Sequence, residues 1–253
     1  MQTITIACRK GGAGKTTIAR NLAVDAERQG AGPVAMLDAD AMRGLAQWWE
    51  SRKAEVPMLA ALRQLGDKRP LQRGELAAAV QKLQAAGYRL CFIDTAPEAG
   101  PIVEEAIGLA DLVLVPVNAS PDDLRAIHET LAIVETVKAP KVFVVNHATR
   151  RATLTGLVAV KLSQHGTVAE TTIHRAEVFK QSAIEGLGVQ EMEPSGVPAQ
   201  EIEGLWTYVA GRLRLAAGLP YEAPTEAPRK RGIELNTQIG EQPAAKKIRK
   251  RAS

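Results

Sequence analysis

The ten residues from Cys8 to Thr17, Cys-Arg-Lys-Gly-Gly-Ala-Gly-Lys-Thr-Thr, are the stretch of this chain best equipped for chemistry. Gly11, Gly12 and Gly14 let the backbone curl until successive N–H groups converge on an anion. Lys15 can bring a positive charge to the outer phosphates of a nucleoside triphosphate. The Thr16 hydroxyl suits Mg²⁺, and Thr17 stands at the first turn of whatever follows. Such a loop needs a strand before it and a helix after it, because the helix N-terminus adds its own unpaired N–H groups and dipole. Both flanks comply: Thr3 to Ala7 alternate as a strand does, and residues 16–29 carry a helical pattern.

Carboxylates supply the second half of the chemistry. Val34 to Leu37 is a nearly continuous apolar run that ends in Asp38-Ala39-Asp40; Tyr88 to Ile93 ends in Asp94; Lys141 onward ends in Asn146. Apolar runs of this kind are strands buried on both faces of a parallel sheet. Asp38 and Asp40 are two apart on an extended chain and so point to one side. Any one of these acids could equally be a helix cap. Together, at the strand ends that share an edge with the phosphate loop, they point to attack of water on the γ-phosphate of ATP. In that reaction catalysis is positioning and charge neutralisation, with Mg²⁺ held by Thr16 and supported by Asp94.

Strands and helical patterns alternate about seven times. The helices are expected over 16–29, after Asp40 (with Trp48 and Trp49), over 75–86, from about 102, 120–137, 153–164, 178–185 and 199–217. The strands are expected over 2–8, 34–37, 88–93, 112–117, 141–146 and 168–173. Alternation of this kind predicts an α/β fold, a doubly wound, mostly parallel sheet with helices on both faces. Residues 1–221 are expected to form the ATPase domain. Residues 222–253, rich in proline and charge and poor in large apolar side chains, are expected to be a disordered tail.

Charge is unevenly placed in the 253 residues. The net +4 splits into +6 from Pro228 to Ser253 (eight Lys/Arg, two Glu) and −2 in the remaining 227 residues. Two cysteines, Cys8 and Cys91, lie in expected strands without a Cys-x-x-Cys pair, which reads as a reducing, cytoplasmic setting. The four histidines have no metal-ligand spacing, and no apolar stretch reaches membrane-spanning length.

The loop departs from the general phosphate-loop pattern at position 9, where Arg9 stands instead of glycine, and carries Lys10 directly before the glycine pair. In this form it resembles the deviant Walker A of the ParA/MinD family, and most of all the small ParA-type partition ATPases without an N-terminal DNA-reading domain. The resemblance covers nearly all of residues 1–217. It extends to Leu37-Asp38-Ala39-Asp40, Phe92-Ile93-Asp94-Thr95, Val115-Pro116-Val117 with Ser120-Pro121-Asp122-Asp123-Leu124, Ile173-His174-Arg175, and Gly188-Val189 with Glu191 and Pro194. It implies an ATPase, slow until a partner stimulates it. Lys10, Lys15 and Asp40 would be the catalytic residues, with Lys10 crossing a nucleotide-sandwich homodimer and Asp40 orienting water. ATP would be held by Lys10, Gly11, Gly12, Ala13, Gly14, Lys15, Thr16 and Thr17. Asn146 and the loop around Pro194 to Val197 would lie near the adenine, and Thr16, Asp38 and Asp94 near Mg²⁺. The family usually has Pro-Gln after its second Asp, where this chain has Ala41-Met42, and often Thr-Pro after the later Asp, where this chain has Thr95-Ala96-Pro97.

The partner expected from this resemblance is DNA, held without sequence preference, together with a centromere-binding adaptor that triggers hydrolysis. The expected DNA contacts are Arg175, Arg229, Lys230, Arg231, Lys246, Lys247, Arg249, Lys250 and Arg251. Polybasic segments hold DNA through counterion release. They also attract anionic lipid. Only Ile248 accompanies the last basic cluster, so an amphipathic membrane helix of the MinD kind is the weaker alternative. A metabolic ATP-dependent enzyme on the same fold is the other.

Overall fold

The alternating pattern of the sequence closes into one sheet. The structure, a computed structural model, describes residues 1–62, 69–120, 128, 131–132 and 140–217. Its strands are β1 (Gln2–Ile6), β2 (Val34–Asp38), β3 (Met58–Leu59), β4 (Leu90–Asp94), β5 (Leu112–Asn118), β6 (Lys141–Asn146) and β7 (Thr167–Val168). The described helices are α1 (Lys15–Arg28), α2 (Gly44–Glu50), α3 (Glu75–Ala85), α4 (Pro101–Gly108), α5 (Thr153–Ser163), α6 (Val178–Ile184), α7 (Val189–Met192) and α8 (Val197–Ala217). The tail 222–253, and most of the helix expected over 120–137, lie outside the described residues.

Strand order is β3-β2-β4-β1-β5-β6-β7, and every pairing is parallel. The sheet therefore winds outward in both directions from β1. A crevice forms where the winding reverses, at the carboxyl end of β1, and in such sheets the ligand binds there.

Register sorts the core into two layers. Ile4 pairs with Phe92 and Leu112, so Ile4, Ile6, Met36, Phe92, Leu114 and Val144 share one face and pack against α1, α7 and α8. Residues of the other parity, such as Val113, Val115 and Phe143, or Leu37 and Ile93, face α3, α4 and α5. Thr3 and Thr5 read as the polar half of an alternating strand, yet both are buried. Thr5 Oγ1 donates to Ala106 O at 2.6 Å, and Thr3 N donates to the Asp111 carboxylate at 2.7 Å. Pro116 is tolerated inside β5 because β1 pairs with β5 only as far as Leu114, so the N–H that proline lacks has no ladder partner to lose. Trp48 is buried, as core packing predicts, and Trp49 is half-buried. Cys8 and Cys91 are buried and in no disulfide, and burial pushes Cys91 up to about 12, which makes it inert.

The strand expected over 168–173 is shorter in the structure. The ladder ends at Val168, although Ala169 N still donates to Phe143 O and Ile173 N to Val145 O. Four residues there span what two span on β6, so the segment bulges away before rejoining at the Ala148–His174 bridge.

Candidate functional site

The chain leaving β1 is held from both sides. Ala7 N donates to Leu114 O at 3.0 Å, and Thr95 Oγ1 donates to Ile6 O at 2.9 Å. The loop then turns through Gly12 (φ 74°) and Gly14 (φ 92°). At Gly14 glycine is required twice over: the backbone is left-handed, and a Cβ would run into the Asn146 side-chain amide. That amide is 1% exposed and donates from Nδ2 to Ala13 O at 2.7 Å. Asn118, at the end of β5, reaches Gly12 O at 3.5 Å. Neighbouring strand ends thus shape the loop before a ligand arrives, which lowers the ordering cost of binding.

Gly14 is the N-cap of α1 and has no side chain to offer, and no acid lies in the first turn. The first N–H groups of α1 are therefore left for an anion. Lys15 is 7% exposed, and its charge acts on the neighbouring Asp94.

Asp94 is fully buried. Its Oδ2 accepts the Thr16 hydroxyl at 2.5 Å, and its Oδ1 has no partner. Burial pushes its carboxyl up to about 7; the Thr16 hydrogen bond and Lys15 oppose the shift, and Asp38 and Asp40 add to it. A buried carboxylate oxygen without a partner, next to a threonine hydroxyl, fits a hard divalent cation. Mg²⁺ takes few protein oxygens and fills its octahedron with phosphate and water. Among the described residues no three His, Cys, Asp or Glu side chains group to hold a metal ion.

Asp38 and Asp40 organise the segment that leads into α2. Asp38 accepts from Asp40 N at 3.1 Å and, through its other oxygen, from Ala46 N at 2.8 Å. The N-cap residue of α2 is Arg43, left-handed at φ 55° and without a capping side chain, so Asp38 caps the helix from the end of β2. Burial raises the Asp38 carboxyl above its ordinary value, and the Ala46 and Asp40 N–H groups pull against it. Asp40 accepts from Met42 N at 2.9 Å, and Met42 is 78% exposed. α2 begins beside the loop, since a Cβ on Gly44 would lie 3.6 Å from Thr16 Cγ2. The cap reading of Asp38 thus holds, on the same edge as Thr16 and Asp94.

Beside Thr17 opens a cleft of about 780 Å³. Asn146, His147, Ile173 and Arg175 line it, with Arg20 from α1 and Phe179 from α6. Arg175 is exposed and donates from Nε to His147 O at 3.2 Å. Pro194 and Val197 are exposed at the start of α8 and are not among the lining residues of this cleft. The tail cations Arg229, Lys230, Arg231, Lys246, Lys247, Arg249, Lys250 and Arg251 lie outside the described residues.

Sequence reasoning quoted Thr95 only as part of a motif, without a role, and did not single out Asn118, Asn21 or Arg20. Asn21 accepts from Val189 N at 2.8 Å and receives Gln190 Nε2 on its backbone oxygen at 2.9 Å, which ties α1 to α7. A polar residue at the third or fourth position after Thr17, on an otherwise apolar helix face, is the signal that could have found Arg20 and Asn21.

Fold and site together define a phosphate-loop ATPase of the ParA/MinD type. The family model described as "VirC1 protein" matches residues 1–192, and the chain belongs to that family. Maintenance of carboxysome distribution protein A from Halothiobacillus neapolitanus is 26% identical over 210 residues, covering 79% of this chain and 91% of that protein. Protein ParA from Rhizobium radiobacter is 32% identical over 118 residues, 47% of this chain and 49% of that one. Among solved structures, MinD from Pyrococcus horikoshii complexed with Mg-ADP superposes with a TM-score of 0.67 at 17% identity, covering 86% of this chain and 99% of that one. Apo McdA from Cyanothece gives 0.65 at 20%, covering 84% and 99%. Among the described residues no helix is long and apolar enough to cross a membrane.

Proposed function

We propose that the chain is an ATP-driven segregation switch: ATP closes a homodimer, the dimer holds DNA without reading sequence, and an adaptor bound to the cargo stimulates hydrolysis and release. The observation that carries the nucleotide half is the Thr16–Asp94 pair, with its unpartnered Oδ1 at the mouth of a preformed phosphate loop. What supports the DNA half is the charge of +6 concentrated from Pro228 to Ser253 and the likeness to proteins named for partition and distribution.

In this reading the α1 N-terminus and Lys15 bind the β and γ phosphates, while Thr16 and Asp94 hold Mg²⁺. The metal, when bound with the nucleotide, withdraws charge from the phosphate oxygens. Asp40 orients the attacking water, and Asp38 keeps the start of α2 against Thr16 so that Asp40 stays in register. Lys10 reaches the phosphates bound by the partner protomer. The nucleoside enters the cleft beside Thr17 and Asn146. Ala41 and Met42 follow Asp40 directly, so they set the geometry of the switch. The protein works in the cytoplasm, on the nucleoid.

The test is binding to random-sequence duplex DNA with ATP, ADP or no nucleotide at two salt concentrations, for the full chain and for a chain ending at Tyr221. ATP-dependent, salt-sensitive binding is expected, and its loss on truncation would assign the contact to the tail. Binding that survives truncation would shift the contact to Arg175 and its neighbours. No binding under any nucleotide would end the DNA reading.

A further inference from the structure

Arg20 is the least expected side chain at the cleft. It lies on α1 one turn after Thr17, is 6% exposed, and lines the cleft with Thr17. Its Nη2 donates to Phe179 O at 2.6 Å, while its buried Nε has no partner. A guanidinium is always charged in proteins, and burying it against one neutral carbonyl is costly. Burial pulls its pKa down to about 10, against the attraction of Asp94, which still leaves it charged at neutral pH. Glu177, the acid that lines the cleft, is exposed and paired with Lys180 at 3.1 Å.

Direction follows from helix geometry. Side chains on a helix tilt toward its N-terminus, so the Arg20 side chain leans back toward Thr17. The cleft touches Thr17 but neither Lys15 nor Thr16. A nucleotide whose outer phosphates sit at Lys15 and whose nucleoside lies in the cleft must pass its innermost phosphate by Thr17. We infer that Arg20 is a further ligand-binding residue, whose guanidinium turns into the cleft and donates to the phosphate nearest the nucleoside. This rests on the nucleotide reading above, and Arg20 then completes its hydrogen bonding only when the site is filled.

The test uses the full chain with Arg20→Met and Arg20→Lys, titrated with Mg-ADP and with AMP, alongside thermal melting without ligand. Arg20→Met is expected to weaken ADP about 10- to 100-fold, the range for a charge-assisted hydrogen bond. AMP, which has only the innermost phosphate, should lose the same factor, and Arg20→Lys should fall between. The ligand-free melting temperature of Arg20→Met should stay the same or rise, because an under-paired buried charge is gone. Wild-type affinity in Arg20→Met overturns the inference and leaves the nucleotide reading standing. A loss of affinity matched by a large drop in ligand-free melting also overturns it, because Arg20 would then be a strut between α1 and Phe179. A wild-type chain that binds no nucleotide removes both.

Discussion

Removing the Glu191 carboxylate should destabilise the protein far more than a surface ion pair would. Arg52 follows α2, and its side chain is 2% exposed. Its two terminal nitrogens meet the two Glu191 oxygens at 2.7 Å each. They also reach Gly186 O at 2.9 Å and Val56 O at 2.6 Å, and the guanidinium lies 5.3 Å from the centre of the Trp48 ring. Trp48 Nε1 donates to Leu187 O at 3.1 Å, and Glu191 also accepts Gly188 N at 2.7 Å. This cluster fastens α2, and with it the Asp38–Asp40 segment, to the loop between α6 and α7. Glu191→Ala leaves the charge buried with only neutral acceptors. Breaking a fully buried pair costs about 3–5 kcal/mol. Glu191 is 21% exposed and Arg52 keeps its carbonyl partners, so a cost below that range, about 2–3 kcal/mol, is expected. In a domain of this size that is roughly 4–12 °C of melting temperature. Burial pushes the Glu191 carboxyl up, but the Arg52 and Gly188 hydrogen bonds and the Arg52 and Arg28 charges outweigh it, and the net shift is downward. The wild-type advantage should therefore hold above pH 4.5 and be lost as pH falls through the depressed value. Guanidinium denaturation of both proteins from pH 3 to pH 7 is the assay. A cost under about 1 kcal/mol at neutral pH, the range of an exposed pair, would refute the reasoning.

Asp25 should show the opposite pH dependence. It is 2% exposed, and burial lifts its carboxyl to about 6 from an ordinary 3.8, against a hydrogen bond from Gln29. Its contribution is present below 3.8 and lost as pH rises through 6, so Asp25→Asn should gain on wild type across that window, by on the order of 1–3 kcal/mol, in urea melts. Gly186→Ala forces a side chain at φ 66° against the Ser51–Arg52 backbone, and about 2–4 kcal/mol of stability should be lost. If its denaturation midpoint matches wild type, the α2 contact is looser than described. Lys10→Ala should keep ATP affinity within a few-fold but stop ATP-dependent dimerisation on size-exclusion chromatography. An ATP dimer that survives the change would remove Lys10 from the interface.

Most of the sheet was legible in the chain because parallel strands buried on both faces must be continuous apolar runs, and their polar ends mark the ligand edge. Lys15 and Thr16 could be placed from the spacing of the loop, and Asp94 from its position at the end of an apolar strand on the same sheet edge. The bulge after Val168 was not legible. Ala169 and Ile173 look like members of a strand, and only the two-residue mismatch with β6 breaks the ladder. Asp38 illustrates a milder limit, because an acid after a strand fits a helix cap and a metal edge equally well, and only the Ala46 N–H shows that it caps α2.

The sequence alone determined the phosphate loop, the parallel α/β architecture and the family, because backbone curvature, burial periodicity and motif spacing are local properties. Tertiary structure decided which polar side chains are left short of partners. Asp94 Oδ1 and Arg20 Nε lie 74 residues apart in sequence, and whether each has a partner depends on what the packed sheet and helices bring beside it. The Arg52–Glu191 clasp, 139 residues apart in the chain, likewise exists only because α2 and α7 fold against the same side of the sheet.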